Sequence, residues 1–280
     1  MIEPTASPGA RPKRPLMMLV GCTDRAEFQP SLHWMADHVQ LEHFLDADEA
    51  HRRLLQCDRD PDWIVFAQSY ASQLDPRIVA PLQRAAPLTP IVLLLGSWCE
   101  GETRSGSPLP GAARLTWCSF VPRMSVAAEC WQARRASVWE LPRTASDEER
   151  WSCELQHHRS GCPAQIGLVC RSPAQTDALR YTLHTAGHHV RSLDPSRDQG
   201  TACRAQGQNP LASLDVVLWA DTGGSRQPRW ALEQLARHAA PVPVVAVMTF
   251  PRVQDALAAQ SWGVRCVISK PFQVADLLTQ

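Results

Sequence analysis

The sequence predicts an α/β protein built from two doubly wound parallel sheets of five strands each. Three observations carry that prediction. Short, continuous apolar runs alternate with helix-patterned segments from residue 15 onward, the pattern of strands buried on both faces by crossover helices. The alternation breaks near residue 134 and restarts near residue 163. The two stretches also repeat one another. "DWIVFAQ" begins at Asp62 and "PIVLLLG" 28 residues later at Pro90; "DVVLWAD" begins at Asp215 and "PVVAVMT" 28 residues later at Pro243.

In the first half the strands are "LMMLVGC" (16–22), "VQLEHFL" (39–45), "WIVFA" (63–67), "IVLLL" (91–95) and "RLTWCSF" (114–120). A helical stretch near 26–38 follows the first strand. "DADEAHRRLLQC" (46–57) opens on a capping aspartate and carries apolar residues at helical spacing. In the second half the strands are "QIGLVC" (165–170), "HVRSL" (189–193), "VVLWA" (216–220), "VVAVM" (244–248) and "RCVIS" (265–269). The helix over 172–187 has Ser172 as its N-cap, Pro173 at its first position and Gly187 at its stop. Further helices lie near 228–239 and 252–261, and the polar loop after residue 193 has room for a degenerate second helix. Residues 1–14 read as a disordered tail, 15–133 and 163–280 as the two domains, and 134–162 as a linker with a short helix over 146–157.

The chain of 280 residues carries 28 Lys plus Arg against 28 Asp plus Glu, so its formal net charge is zero. The basic residues are scattered, which argues against nucleic acid or a membrane surface as partner. Ten cysteines show no paired framework, the amino terminus has no apolar signal region, and no run is long enough to span a membrane. These features predict a cytoplasmic protein with reduced thiols.

The second half resembles a response-regulator receiver domain. The resemblance rests on "DVVLWAD", "PVVAVMT", "AAQSWGVRCVISKPF" and the terminal "VADLL", and covers about residues 164–280. The first half resembles the same family more weakly, mainly through the repeat. The resemblance implies a flavodoxin-like fold and a chemistry at the carboxyl edge of the sheet. There, two acids after the first strand help hold Mg²⁺, an aspartate ending the third strand takes a phosphoryl group, a Ser or Thr after the fourth bonds it, and a lysine after the fifth neutralises it.

This chain departs from that pattern. Cys170, Arg171 and Ser172 stand where the second half needs its acidic pair, so no magnesium site is expected. The family's offset from Asp215 lands on Ala220, with Asp221 one residue late, and a one-residue shift turns a strand side chain to the other face unless a bulge intervenes. Thr249 and Lys270 fit the hydroxyl and the lysine. Lys270 is left to pair with Asp221 or a backbone carbonyl, and Pro271 is a candidate cis proline. The first half has at most one acid, Asp24, and ends its third strand in Ala67-Gln68.

A second candidate edge is "GSWCEGETRSGSPLPG" (96–111), which holds Trp98, Cys99, Glu100, Glu102 and Arg104 beside Asp24, Gln68 and Tyr70. It reads either as a ligand-binding edge outside the strand ends or as an ordered surface cover. Cys153, His157, His158 and Cys162 lack zinc-site spacing and read as linker residues. Cys22 and Cys99 are placed to face each other, with no histidine beside them to act as base. No catalytic residue, metal or cofactor is therefore expected.

The sequence predicts a non-catalytic signalling or scaffolding protein working through protein partners. The resemblance implies that the output face includes "QDALAAQSWGVRCVISKPFQVADLL", whose exposed apolar residues would mediate dimerisation or pairing of the halves. The alternatives are a phospho-acceptor receiver using Asp221 and a small-ligand binder using the 96–111 loop.

Overall fold

The computed structural model describes residues 14–99, 101–102, 106–135, 137–142, 144–146, 148–150, 152–153, 162–193, 211–222 and 229–278. Residues 1–13 of the expected tail and the polar loop after residue 193 lie outside them. So do Glu100, Arg104, His157 and His158.

Among the described residues, ten strands form two parallel sheets. The first contains β1 (Leu16–Val20), β2 (Gln40–Phe44), β3 (Trp63–Tyr70), β4 (Ile91–Trp98) and β5 (Ala113–Thr116), in the order β2-β1-β3-β4-β5. The second contains β6 (Gln165–Cys170), β7 (His189–Ser192), β8 (Val216–Ala220), β9 (Val244–Thr249) and β10 (Val264–Lys270), in the order β10-β9-β8-β6-β7. Read from its other edge, the second sheet has the same order as the first. That order is the flavodoxin-like one, with its switch point between the first and third strands.

The paired aspartates of the sequence repeat do the same job in each half. Asp62 Oδ2 accepts the Leu16 amide at 2.8 Å, and Asp215 Oδ2 accepts the Gln165 amide at 2.7 Å. Each carboxylate thus satisfies the first donor of the neighbouring central strand, which has no ladder partner at the sheet's amino edge.

Strand alternation divides each core in two. In the first half, Met17, Leu19, Val65 and Leu94 pack with α1 (Gln29–His38) and α4 (Phe120–Gln132). Met18, Phe66, Leu93 and Leu95 pack on the opposite face with α2 (Ala47–Gln56) and α3 (Pro76–Ala85). In the second half, Leu168, Ala220, Val247 and Ile268 pack with α5 (Pro173–Thr185) and α8 (Val274–Leu278). Val169, Trp219, Ala246 and Val267 pack with α6 (Arg229–Ala239) and α7 (Val253–Ser261). The caps follow the residues: Asp46 accepts the Asp48 amide, Asp75 the Arg77 amide and Ser172 the Gln175 amide.

Two expectations are corrected. The strand placed over 114–120 ends at Thr116, because the Ser119 amide turns back onto the Thr116 carbonyl at 3.0 Å and Phe120 begins α4. The helical stretch near 26–38 begins as a 3-10 turn over Ala26–Phe28 before α1. The linker's described residues include a 3-10 turn at Val138–Glu140, with Trp139 packed against the first core.

The halves meet directly. Arg123 of α4 is buried, lies 5.7 Å from the Trp139 ring centroid, and donates from Nη1 to Gln273 Oε1 at 3.2 Å and Asp276 Oδ1 at 3.4 Å. Trp117, in the turn after β5, belongs to the core shared by Trp219 and Val267. Among the described residues, no helix is long and apolar enough to cross a membrane.

Candidate functional site

The carboxyl edge of the second sheet gathers Asp221, Thr249 and Lys270. Ala220 ends β8 fully buried among Leu168, Val247 and Ile268, so it fills a core position. Asp221 follows it beyond the strand, yet its amide still donates to the Val247 carbonyl at 3.0 Å. No longer held to the pleat, its carboxylate reaches across the ends of β9 and β10. Oδ2 accepts the Thr249 amide at 2.7 Å, and Oδ1 accepts Thr249 Oγ1 at 2.5 Å and Lys270 Nζ at 3.1 Å. Lys270 also donates to the Asp221 carbonyl and, at 3.2 Å, to Gln175 Oε1 of α5. The Lys270–Pro271 peptide that follows is cis.

Each group in this cluster is occupied from within. The carboxylate has three donors, and the ammonium spends its three protons on three acceptors. The side chains are only 21% and 17% exposed, so their mutual neutralisation is poorly screened by water. Across the edge, β6 ends in Cys170, whose thiol lies 3.6 Å from the Ser172 carbonyl and 3.7 Å from Gln175 Oε1. Arg171 is exposed. Among the described residues, no group of three His, Cys, Asp or Glu side chains is placed to hold a metal ion.

The equivalent edge of the first sheet is closed by a different device. Glu102 is buried, and its Oε1 accepts Gln68 Nε2 at 2.8 Å and the Ser72 amide at 2.7 Å, while Oε2 accepts Arg114 Nη2 at 2.6 Å. Burial opposes charging Glu102, but the hydrogen bonds from Ser72, Arg114 and Gln68 outweigh it and hold the carboxyl below the ordinary glutamate range. A second buried carboxylate, Glu27, accepts the Ser97 amide at 2.9 Å and Ser97 Oγ at 3.1 Å, and is ion-paired with Arg25 Nε at 3.2 Å. A side chain at Gly96 would place its Cβ 2.4 Å from Glu27 Oε1, so the Glu27 carboxylate would have to shift away from Ser97.

The remaining predicted residues take separate places. Trp98 is 71% exposed, and Asp24 is exposed, accepts the Cys22 thiol at 3.1 Å and takes no part in the hydrogen bonds around Glu102. Cys99 is buried and donates to the Gln68 carbonyl at 3.2 Å, whereas Cys22 is exposed, which corrects the expectation that the two face each other. Burial, then the nearby Glu102 carboxylate, pushes the Cys99 thiol up to about 12, which leaves it unreactive at neutral pH. Sequence reasoning missed Glu27 and Arg114. Glu27 opens a helical stretch and reads as solvated, and nothing in the sequence ties it to Ser97.

No protein-family model matches the chain, and no curated protein matches it. Among solved structures it is similar to response-regulator receiver domains. NtrX from Brucella abortus is 22% identical with a TM-score of 0.33, the match covering 42% of this chain and 25% of that one. A response regulator receiver domain protein from Clostridium thermocellum is 16% identical with a TM-score of 0.34, covering 41% and 88%. A Vibrio cholerae chemotaxis protein is 18% identical with a TM-score of 0.33, covering 42% and 94%. The fold assignment itself rests on the strand order observed in both sheets.

Proposed function

We propose that the chain is a non-catalytic, cytoplasmic signalling or scaffolding protein whose two receiver-like halves act through contacts with protein partners. One observation carries the reading: the Asp221 carboxylate is held by Thr249 and Lys270. The groups that a receiver reserves for an incoming phosphate are spent on the chain's own carboxylate. No acidic pair stands across the edge to bring magnesium, and the first sheet's edge is filled by Glu102, Gln68 and Arg114.

The same triangle favours a second reading, in which Asp221 accepts a phosphoryl group, since the aspartate does meet the hydroxyl and the lysine. Intact mass after treatment with acetyl phosphate and Mg²⁺ separates the two. An unmodified chain supports the scaffolding reading. A phosphoryl adduct that disappears in Asp221→Ala replaces it with the acceptor reading.

A further inference from the structure

We propose that the amino-terminal segment of the chain, residues 4–13, docks into a cleft at the amino edge of the first sheet. The cleft has a volume of about 510 Å³ and lies where β3 and β4 begin. Trp131, in the last turn of α4, and Trp139, in the 3-10 turn that follows, give it half-buried indole faces. Pro61, Pro87, Pro90 and Pro142 add rigid apolar walls. Grooves walled by aromatic rings take up proline-rich segments, whose pre-set φ leaves little backbone freedom to lose on docking.

Charge narrows the occupant further. Asp60 and Asp62 line the cleft, and among the described residues no Lys or Arg side chain does. Asp62 is shared with Arg59 at 3.1 Å, while Asp60 is exposed on the rim. The cleft therefore suits a proline-rich segment that is also basic. Residues 1–13 read "MIEPTASPGARPK", with Pro4, Pro8 and Pro12 evenly spaced and Arg11 and Lys13 on either side of the last.

The chain delivers that segment to this edge. It enters the described structure at Arg14, whose Nη1 donates to the Ala36 carbonyl of α1 at 3.2 Å. Two residues later the Leu16 amide donates to Asp62 Oδ2 at 2.8 Å, and Asp62 Oδ1 accepts Trp131 Nε1 at 2.8 Å. A single carboxylate thus joins the point of entry to the wall of the cleft. An extended proline-rich chain advances about 3 Å per residue, so ten residues reach about 30 Å, enough to cross a cleft of this size. Tethering so close gives an effective concentration on the order of millimolar, so even a weak contact keeps the cleft filled.

This docking is independent of the phosphoryl question, because Asp221, Thr249 and Lys270 do not line the cleft. The test is limited proteolysis of the full chain with proteinase K, following the loss of residues 1–13 by mass. A free peptide of the same sequence gives the unprotected rate. The parent chain should lose the segment about tenfold more slowly than the peptide is cut, because cleavage tracks the undocked population. Asp60→Lys reverses the rim charge, and Leu88→Ser removes an apolar rim side chain that is 94% exposed. Both positions are exposed, so both variants keep the fold, and a urea midpoint matching the parent's verifies it. Each should raise the cleavage rate several-fold toward that of the peptide. Cleavage of the parent at the peptide's rate overturns the proposal, as does protection that neither variant relieves. Protection that falls on dilution assigns the cleft to the same segment of a second copy and overturns docking within one chain.

Discussion

Lys270 is tied to Asp221 twice, through Oδ1 at 3.1 Å and through the backbone carbonyl of the same residue. The lysine thereby clamps the turn after β8 to the end of β10, and Thr249 closes the triangle from β9. A cluster of this kind stabilises the edge of the sheet without needing a ligand. Its energetic worth is measurable as a coupling. Asp221→Asn and Lys270→Met should each lower stability by about 2 kcal/mol, because each leaves a half-buried charged partner unsatisfied. The double variant should lose less than the sum, with a coupling of about 1–2 kcal/mol in urea unfolding.

How much of this edge was legible in the sequence depends on the residue. The continuous apolar runs of β6 and β8 matched their predicted limits, since a strand buried on both faces has no other composition available. The helix α3 escaped notice because Pro81 lies inside it, although Asp75-Pro76 signals its start. The strand predicted over 114–120 was too long because Trp117 is apolar for the sake of the second half's core, which one-dimensional reading attributes to its own strand. Counting from Asp215 correctly put Ala220 inside the sheet. It could not show that Asp221, past the last pleated residue, would turn toward Thr249 and Lys270. Glu102 and Cys99 were picked out by their loop, but Glu27 and Arg114 become visible only when segments distant in sequence meet.

The two buried acids with shifted ionisation predict opposite pH dependences. Glu102 is held below its ordinary value by Ser72, Arg114 and Gln68 against the cost of burial, so its contribution is present above the unfolded glutamate value and is lost as pH falls through the lower folded one. Asp276 is pushed up, chiefly by burial and despite Arg123 and the Gln273 amide. Its contribution is therefore fully present below the ordinary aspartate value and is lost as pH rises through the higher folded one. Unfolding midpoints measured against pH should show Glu102→Gln flattening the acid-side loss. Asp276→Asn should remove the decline that accompanies rising pH.

Thiol reactivity should divide by burial. Burial pushes Cys99 and Cys266 each up to about 12, whereas Cys22, Cys57 and Cys162 are exposed. Brief iodoacetamide treatment of the native chain at mildly alkaline pH, followed by peptide mass mapping, should label Cys22, Cys57 and Cys162 and leave Cys99 and Cys266 unmodified. Rapid labelling of Cys99 would mean that the Glu102 edge opens readily.

Asp221, Thr249 and Lys270 close the receiver-like edge of the second sheet on itself. The most direct measurement is the intact mass of the full chain after incubation with acetyl phosphate and Mg²⁺, alongside Asp221→Ala. Both should retain their unmodified mass. A phosphoryl adduct on the parent chain that is absent from Asp221→Ala would contradict it.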